Sequence, residues 1–176
     1  MIYRAAFGLL SVLVCLTAAA LSQAQELPKP GQEHEKLKKL EGAWDAVLES
    51  QGQKHKATAT YKSICGGMWM ASDFQGDLGG IAYSGHGLDG YDQQKKKYVG
   101  VWVQSMSSAP MHYEGNLDDK DVLVMTGTAC DLEGKPEQFK NTTAWKDDDH
   151  FSFKMYMVDA EGKEQLAFTI EYARKK

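Results

Sequence analysis

Trp44-Asp45-Ala46-Val47-Leu48-Glu49-Ser50 and, shortly after it, Ala57-Thr58-Ala59-Thr60-Tyr61-Lys62 alternate apolar and polar side chains. In the first, Trp44, Ala46 and Leu48 alternate with Asp45 and Glu49. In the second, Ala57, Ala59 and Tyr61 alternate with Thr58, Thr60 and Lys62. A period of two sends one set to a buried face and the other to water, which is the signature of a half-buried strand.

The same pattern continues outward, so the two strands Trp44–Ser50 and Lys54–Ser63 begin a series. Cys65-Gly66-Gly67 turns the chain into Met68–Gln75, and Gly76 to Gly80 leads into the glycine-studded segment Ile81–Asp92. Gln93 to Lys97 is a polar turn before Tyr98–Met106, and a Ser/Pro turn precedes Met111–Asn116. Val122–Ala129, Gln138–Lys146, His150–Val158 and Gln165–Arg174 complete about ten strands, divided by acidic or Gly/Pro turns. Short strands with turn signals at this spacing predict an all-β, antiparallel up-and-down barrel. Before it, Gln25 to Gly31 reads as an extended leader, and Gln32 to about Leu40 as a short helix stopped by Gly42.

The alternation gathers Trp44, Leu48, Tyr61, Phe74, Trp102, Tyr113, Phe139, Trp145, Phe151, Phe153, Phe168 and Ile170 on the inner face. Side chains just fill an eight-stranded barrel, so about ten strands predict spare room inside.

Residues 1–24 read as a secretory signal peptide. Arg4 supplies the basic start, Phe7 to Leu21 an apolar run, and Ser22-Gln23-Ala24 a small-residue cleavage site. The run of about 15 residues is shorter than the roughly 20 a spanning helix needs. The expected organisation is therefore a signal at 1–24, a leader and helix at 25–43, and one barrel domain at 44–176, exported to a bacterial periplasm without a membrane span in its mature form. The whole sequence has 20 basic and 24 acidic side chains, and the basic ones are scattered or lie in turns such as Lys95-Lys96-Lys97. No electrostatic footprint for nucleic acid is present. Cys65 and Cys130 fall in turns at opposite ends of an up-and-down meander, too far apart for a disulfide, which predicts two unpaired thiols.

Several runs also carry a family resemblance. Lys29-Pro30-Gly31-Gln32-Glu33-His34-Glu35-Lys36-Leu37 with Leu40-Glu41-Gly42-Ala43-Trp44-Asp45 is similar to the opening of the bacterial domain-of-unknown-function family 1579. Gly66-Gly67-Met68-Trp69, Gly85-His86-Gly87-Leu88-Asp89-Gly90-Tyr91-Asp92, Lys97-Tyr98 and the tail from Met155-Tyr156 to Tyr172 resemble its later signatures. The resemblance implies a lipocalin-like, calycin-type barrel in which the Trp of Gly42-Ala43-Trp44 plugs one end. It implies no reaction and no catalytic set.

The run Gly85–Asp92 is the strongest candidate for chemistry, because glycines within a strand mark a bend, a bulge or close approach of another group. His86 at its centre is either a polar contact, metal or haem ligand or base in the cavity, or a residue bonded to a neighbouring strand at a barrel corner. The histidines form no HxH, HExxH or helical i, i+4 pair, which argues against a dedicated zinc site. Met68/Met70 and Met155/Met157 each share a face and read as adaptable apolar filling or as soft ligands for copper(I).

The leading expectation is a non-enzymatic barrel that holds a small apolar or amphipathic ligand. Trp102, Tyr113, Phe139, Trp145, Phe153 and Met155 would form the apolar wall. His86, Tyr61, Gln104 and Asn141 would supply the few orienting polar contacts. The alternatives are an enzyme in which His86, with a carboxylate such as Asp89, transfers protons, and a haem- or metal-binding barrel. Asp89 lies three residues from His86 and belongs on the opposite face of an unbroken strand, so that pair requires a bulge.

Overall fold

The computed structural model describes residues 27–130 and 134–176. The signal reading at 1–24 lies outside the described residues. Ten antiparallel strands close into one barrel in which each strand pairs with its sequence neighbours and the last pairs with the first. They are β1 (Gly42–Ser50), β2 (Gln53–Ile64), β3 (Trp69–Asp77), β4 (Ala82–Asp92) and β5 (Lys97–Gln104). The remainder are β6 (Ser107–Leu117), β7 (Leu123–Cys130), β8 (Pro136–Trp145), β9 (His150–Val158) and β10 (Glu164–Arg174). Closure through the β1–β10 ladder, Trp44 opposite Arg174 to Glu49 opposite Thr169, removes the exposed edges an open sheet would carry.

The period-two reading of β1 holds residue by residue. Trp44, Ala46 and Leu48 are buried and Asp45, Val47 and Glu49 are exposed. The inner faces form two apolar clusters. One runs along β1, β2 and β10 around Trp44, Ala59, Phe151 and Tyr172. The other collects Met70, Tyr98, Leu123 and Met125 under Leu37.

Leu37 comes from helix α1 (Gln32–Lys38), which lies against β3 and β4 and plugs one end of the barrel. Its start is fastened by His34, whose Nδ1 accepts from the Gly31 N–H at 2.9 Å. The His34 ring is buried edge-on against Tyr91. Below the helix, Trp44 is 1% exposed and donates from Nε1 to the Leu40 carbonyl at 2.7 Å. The Arg174 guanidinium stacks 4.1 Å from the Trp44 ring and donates to the carbonyls of Lys39, Glu41 and Asp148. One side chain thus ties the chain ends and a turn over the plugged end. Gly42 has a positive φ of 129°, and a Cβ there would sit 2.7 Å from Arg174 Nη1. That explains glycine in the Gly-x-Trp sequence.

The largest boundary difference is β6, which begins at Ser107, whereas the Ser/Pro stretch reads as a turn ahead of Met111. Pro110 lies inside the strand because the β5–β6 ladder is irregular there: Trp102 pairs Met111 and Gln104 pairs Ser107. The additional β6 residues between those pairs relieve proline of a ladder N–H it cannot supply. Cys65, in the turn after β2, and Cys130, at the end of β7, are exposed at opposite ends of the barrel. No helix among the described residues is long and apolar enough to cross a membrane.

Candidate functional site

The lumen is shaped by an alternation of bulky residues and glycine across the hydrogen-bonded strands. Asp89 on β4 faces Gly100 on β5, which faces Tyr113 on β6, which faces Gly127 on β7, which faces Phe139 on β8. A Cβ on Gly100 would stand 2.2 Å from the Tyr113 ring and 2.5 Å from Asp89 Oδ1. The missing methyl therefore lets the Tyr113 phenol cross β5 and donate to Asp89 Oδ1 at 3.0 Å. One step toward the open end, the Trp102 ring occupies the space over Gly85 and Gly87, where a Cβ would meet it at 2.1 and 3.0 Å.

These packings set the face of β4. Gly85, Gly87, Asp89 and Tyr91 point inward, and His86 and Leu88 point outward. The expectation of His86 in the cavity is corrected accordingly: its side chain is 57% exposed on the outer surface and bonds to Asp73 of β3 at 2.5 Å. His86 and Asp89 lie on opposite faces, which removes the proton-transfer pair. It also removes His86 as a ligand to a haem or metal in the lumen. His112 faces outward as well. Among the described residues no three His, Cys, Asp or Glu side chains converge as metal ligands do.

Asp89, expected only as a proton-transfer partner of His86, is the residue that faces the lumen. Alternation placed it opposite His86, and assigning His86 to the cavity sent Asp89 outside. In the fold it is deep in the barrel and keeps a part of its surface open to the lumen. Burial pushes its carboxyl up from 3.8 to about 7, and the Tyr113 hydroxyl opposes the rise. Tyr61 packs edge to face against Tyr172, with ring centroids 6.4 Å apart, beside this pair. Burial first, and then the neighbouring negative charge, raise the Tyr61 and Tyr113 phenols. Tyr172 is raised by burial and by Tyr61. All three phenols stay protonated at neutral pH. The arrangement can hold or release one proton near neutrality, accept hydrogen bonds through the carboxylate, and offer ring faces to a cation.

The other expected wall and polar residues are found on the inner face. Trp102 donates from Nε1 to the Tyr83 hydroxyl at 3.3 Å, and that hydroxyl donates to Gln104 Oε1 at 2.7 Å, a short chain toward the open end. Phe153 stacks on Phe168. Met155 and Phe139 are buried on either side of Asn141, which is 2% exposed with its Oδ1 unpartnered. Trp145 lies near the helix plug with Lys36 4.2 Å above its ring and its own Nε1 unpartnered. Tyr61, Tyr83, Trp102, Tyr113, Phe153 and Phe168 all point inward, and each keeps part of its surface accessible. The broad depression on the outer surface beside Asp45, Asp149 and Arg174 is separate from this lumen.

A Gly100→Ala substitution should cost about 1–3 kcal/mol, the usual penalty for overpacking. It should also break the Tyr113–Asp89 bond. Chemical denaturation of the variant with near-UV circular dichroism checks both, and an unchanged midpoint would contradict the packing account.

The sequence signatures and the barrel agree with the family comparison. Residues 29–174 match the family described as protein of unknown function DUF1579. The chain belongs to that family. No curated protein matches this DUF1579 member. Among solved structures, the S-type phycobiliprotein lyase CPES from Guillardia theta is similar over 82% of this chain and 93% of its own, with a TM-score of 0.55 at 10% identity. The likeness is one of fold: a lipocalin-like barrel. A redesigned β-barrel aligns over 79% of this chain and 94% of its own, at 13% identity and a TM-score of 0.43.

Proposed function

We propose that this DUF1579 barrel is an exported, non-enzymatic binding protein that holds a small apolar or amphipathic molecule in its lumen. The observation that carries the reading is the inward carboxylate of Asp89, bonded to Tyr113 and set among aromatic side chains that keep part of their surface accessible. Binding cavities characteristically combine an apolar wall with a few convergent polar groups. The apolar wall consists of Trp102, Phe139, Trp145, Phe153 and Met155. Asp89, Tyr61, Tyr113 and Asn141 are the polar contacts, with Asp89 in the place expected for His86. A lipocalin-like fold shared with a phycobiliprotein lyase is in keeping with this reading. The signal-like segment 1–24 supports export to the periplasm.

Native mass spectrometry with organic extraction, on protein purified from the periplasm without added ligand, tests the proposal. A small molecule that co-purifies and is released by solvent is the expected result. A clean apo mass, together with tryptophan fluorescence indifferent to n-octylamine, n-octanol and n-octanoate, would overturn it.

A further inference from the structure

We propose that the lumen selects a cationic amine with an apolar body, its ammonium seated between the Asp89 carboxylate and the rings of Tyr61 and Tyr113. This assignment rests on the binding reading and adds the chemical class of the ligand.

The argument begins with an incomplete ion pair. Asp89 Oδ1 accepts from Tyr113, and among the described residues no lysine, arginine or histidine acts on the carboxylate; what bears on it is burial and the Tyr113 hydroxyl. A buried carboxylate without a counter-charge is costly and neutralises itself by taking up a proton. A ligand that brings its own positive charge relieves that cost. The surroundings suit an ammonium group, because tyrosine ring faces attract cations and the attraction grows when water is excluded. A second, independent feature points the same way: Asn141 Oδ1 is a buried acceptor with no donor. A carboxylate that lacks a counter-charge and an amide oxygen that lacks a donor both match a ligand that brings N–H groups.

An anionic ligand fits less well. Lys36 and Arg174 reach inner aromatic residues, but both are engaged at the plugged end: Lys36 is bound to Asp121 and laid over Trp145, and Arg174 is laid over Trp44 and bound to backbone carbonyls. The unpartnered donors Trp145 Nε1 and Tyr98 hydroxyl pack in the same cluster as Leu37, Tyr61 and Tyr113, and neither brings a positive charge.

Affinity should depend on pH in one direction. Facing Asp89 are Tyr61 from β2, Tyr113 from β6 and, through Tyr61, Tyr172 from β10, all neutral well above neutral pH. Met70 from β3 and Gly100 from β5, its ladder partners, carry no charge. An alkylamine stays protonated to about pH 10, so amine binding should strengthen as the pH rises from about 6 to about 8 and Asp89 ionises.

Isothermal titration of the full chain with n-octylamine, n-octanol and n-octanoate tests the assignment. At about pH 8 octylamine should bind about ten-fold or more tightly than the other two, and this preference should shrink at about pH 6. Asp89→Asn should bring the amine-to-alcohol ratio close to one, whereas Tyr113→Phe, which keeps the carboxylate, should retain a preference for amine. Binding of octanol or octanoate as tight as that of octylamine overturns the amine assignment and leaves lumen binding standing. A preference that survives in Asp89→Asn, or that does not fall between pH 8 and pH 6 in the parent, also overturns it. If none of the three probes binds, the binding reading falls with it.

Discussion

Asp89→Asn is expected to stabilise the protein at about pH 8 and to leave its stability nearly unchanged at about pH 4. The sign follows from proton linkage. The carboxyl titrates near its ordinary value of 3.8 in the unfolded chain and at about 7 in the fold. Between those values the folded state holds a proton that the unfolded state has released. Stability conferred by this group therefore falls as the pH rises through that window and is lowest above it. With each ten-fold difference in proton affinity counting for about 1.4 kcal/mol, the ionised carboxylate costs the fold on the order of 4 kcal/mol. Asparagine cannot ionise, and its amide oxygen can accept from Tyr113 as the carboxyl does. Urea unfolding of parent and variant across this pH range measures the difference directly, with the surface carboxylates common to both cancelling. Equal pH slopes in the two proteins would refute the buried-carboxylate account. The presence of so costly a group among inward aromatic side chains is also the thermodynamic argument for a ligand that compensates it.

Trp44→Ala is expected to be the most damaging of the simple truncations. Trp44 is 1% exposed, makes an edge contact with Phe151 at 4.7 Å, donates to the Leu40 carbonyl and carries the Arg174 guanidinium on its face. Removing the indole leaves a cavity where β1, the helix plug and the end of β10 meet. Losses of this kind run about 3–5 kcal/mol. In a domain of this size that lowers Tm by about 10 °C. Because Arg174 ties the carbonyls of Lys39, Glu41 and Asp148, the loss should extend to the plug, with faster amide exchange in α1 and in the turn between β8 and β9. A thermal scan with hydrogen-exchange mass spectrometry tests both parts. A Tm within a degree or two of the parent would show that the barrel end closes without the indole.

Sequence periodicity determined most of the architecture. In β1 and β2 the two alternating sets differ sharply, Trp44, Ala46 and Leu48 against Asp45 and Glu49, and only one assignment of faces avoids burying carboxylates. The same contrast, strand by strand, placed Tyr61, Trp102, Tyr113, Phe139, Trp145, Phe153 and Met155 inside. Helix α1 was legible from its leucines and from Gly42, and the separation of Cys65 from Cys130 followed from the order of the strands.

The centre of the site was not legible, because β4 lacks that contrast. One alternating set of the run is Gly85, Gly87, Asp89 and Tyr91, and the other is Ser84, His86, Leu88 and Gly90. Each mixes glycine, polar and apolar residues, so local chemistry favours neither face, and a one-residue slip exchanges them completely. Only the tertiary structure decided between them. Trp102 needs the space over Gly85 and Gly87, and Tyr113 needs the gap at Gly100 to reach the β4 carboxylate. Both requirements arise on other strands, from ring volumes that must fit inside a closed barrel, and together they turn Asp89 inward and His86 out to water.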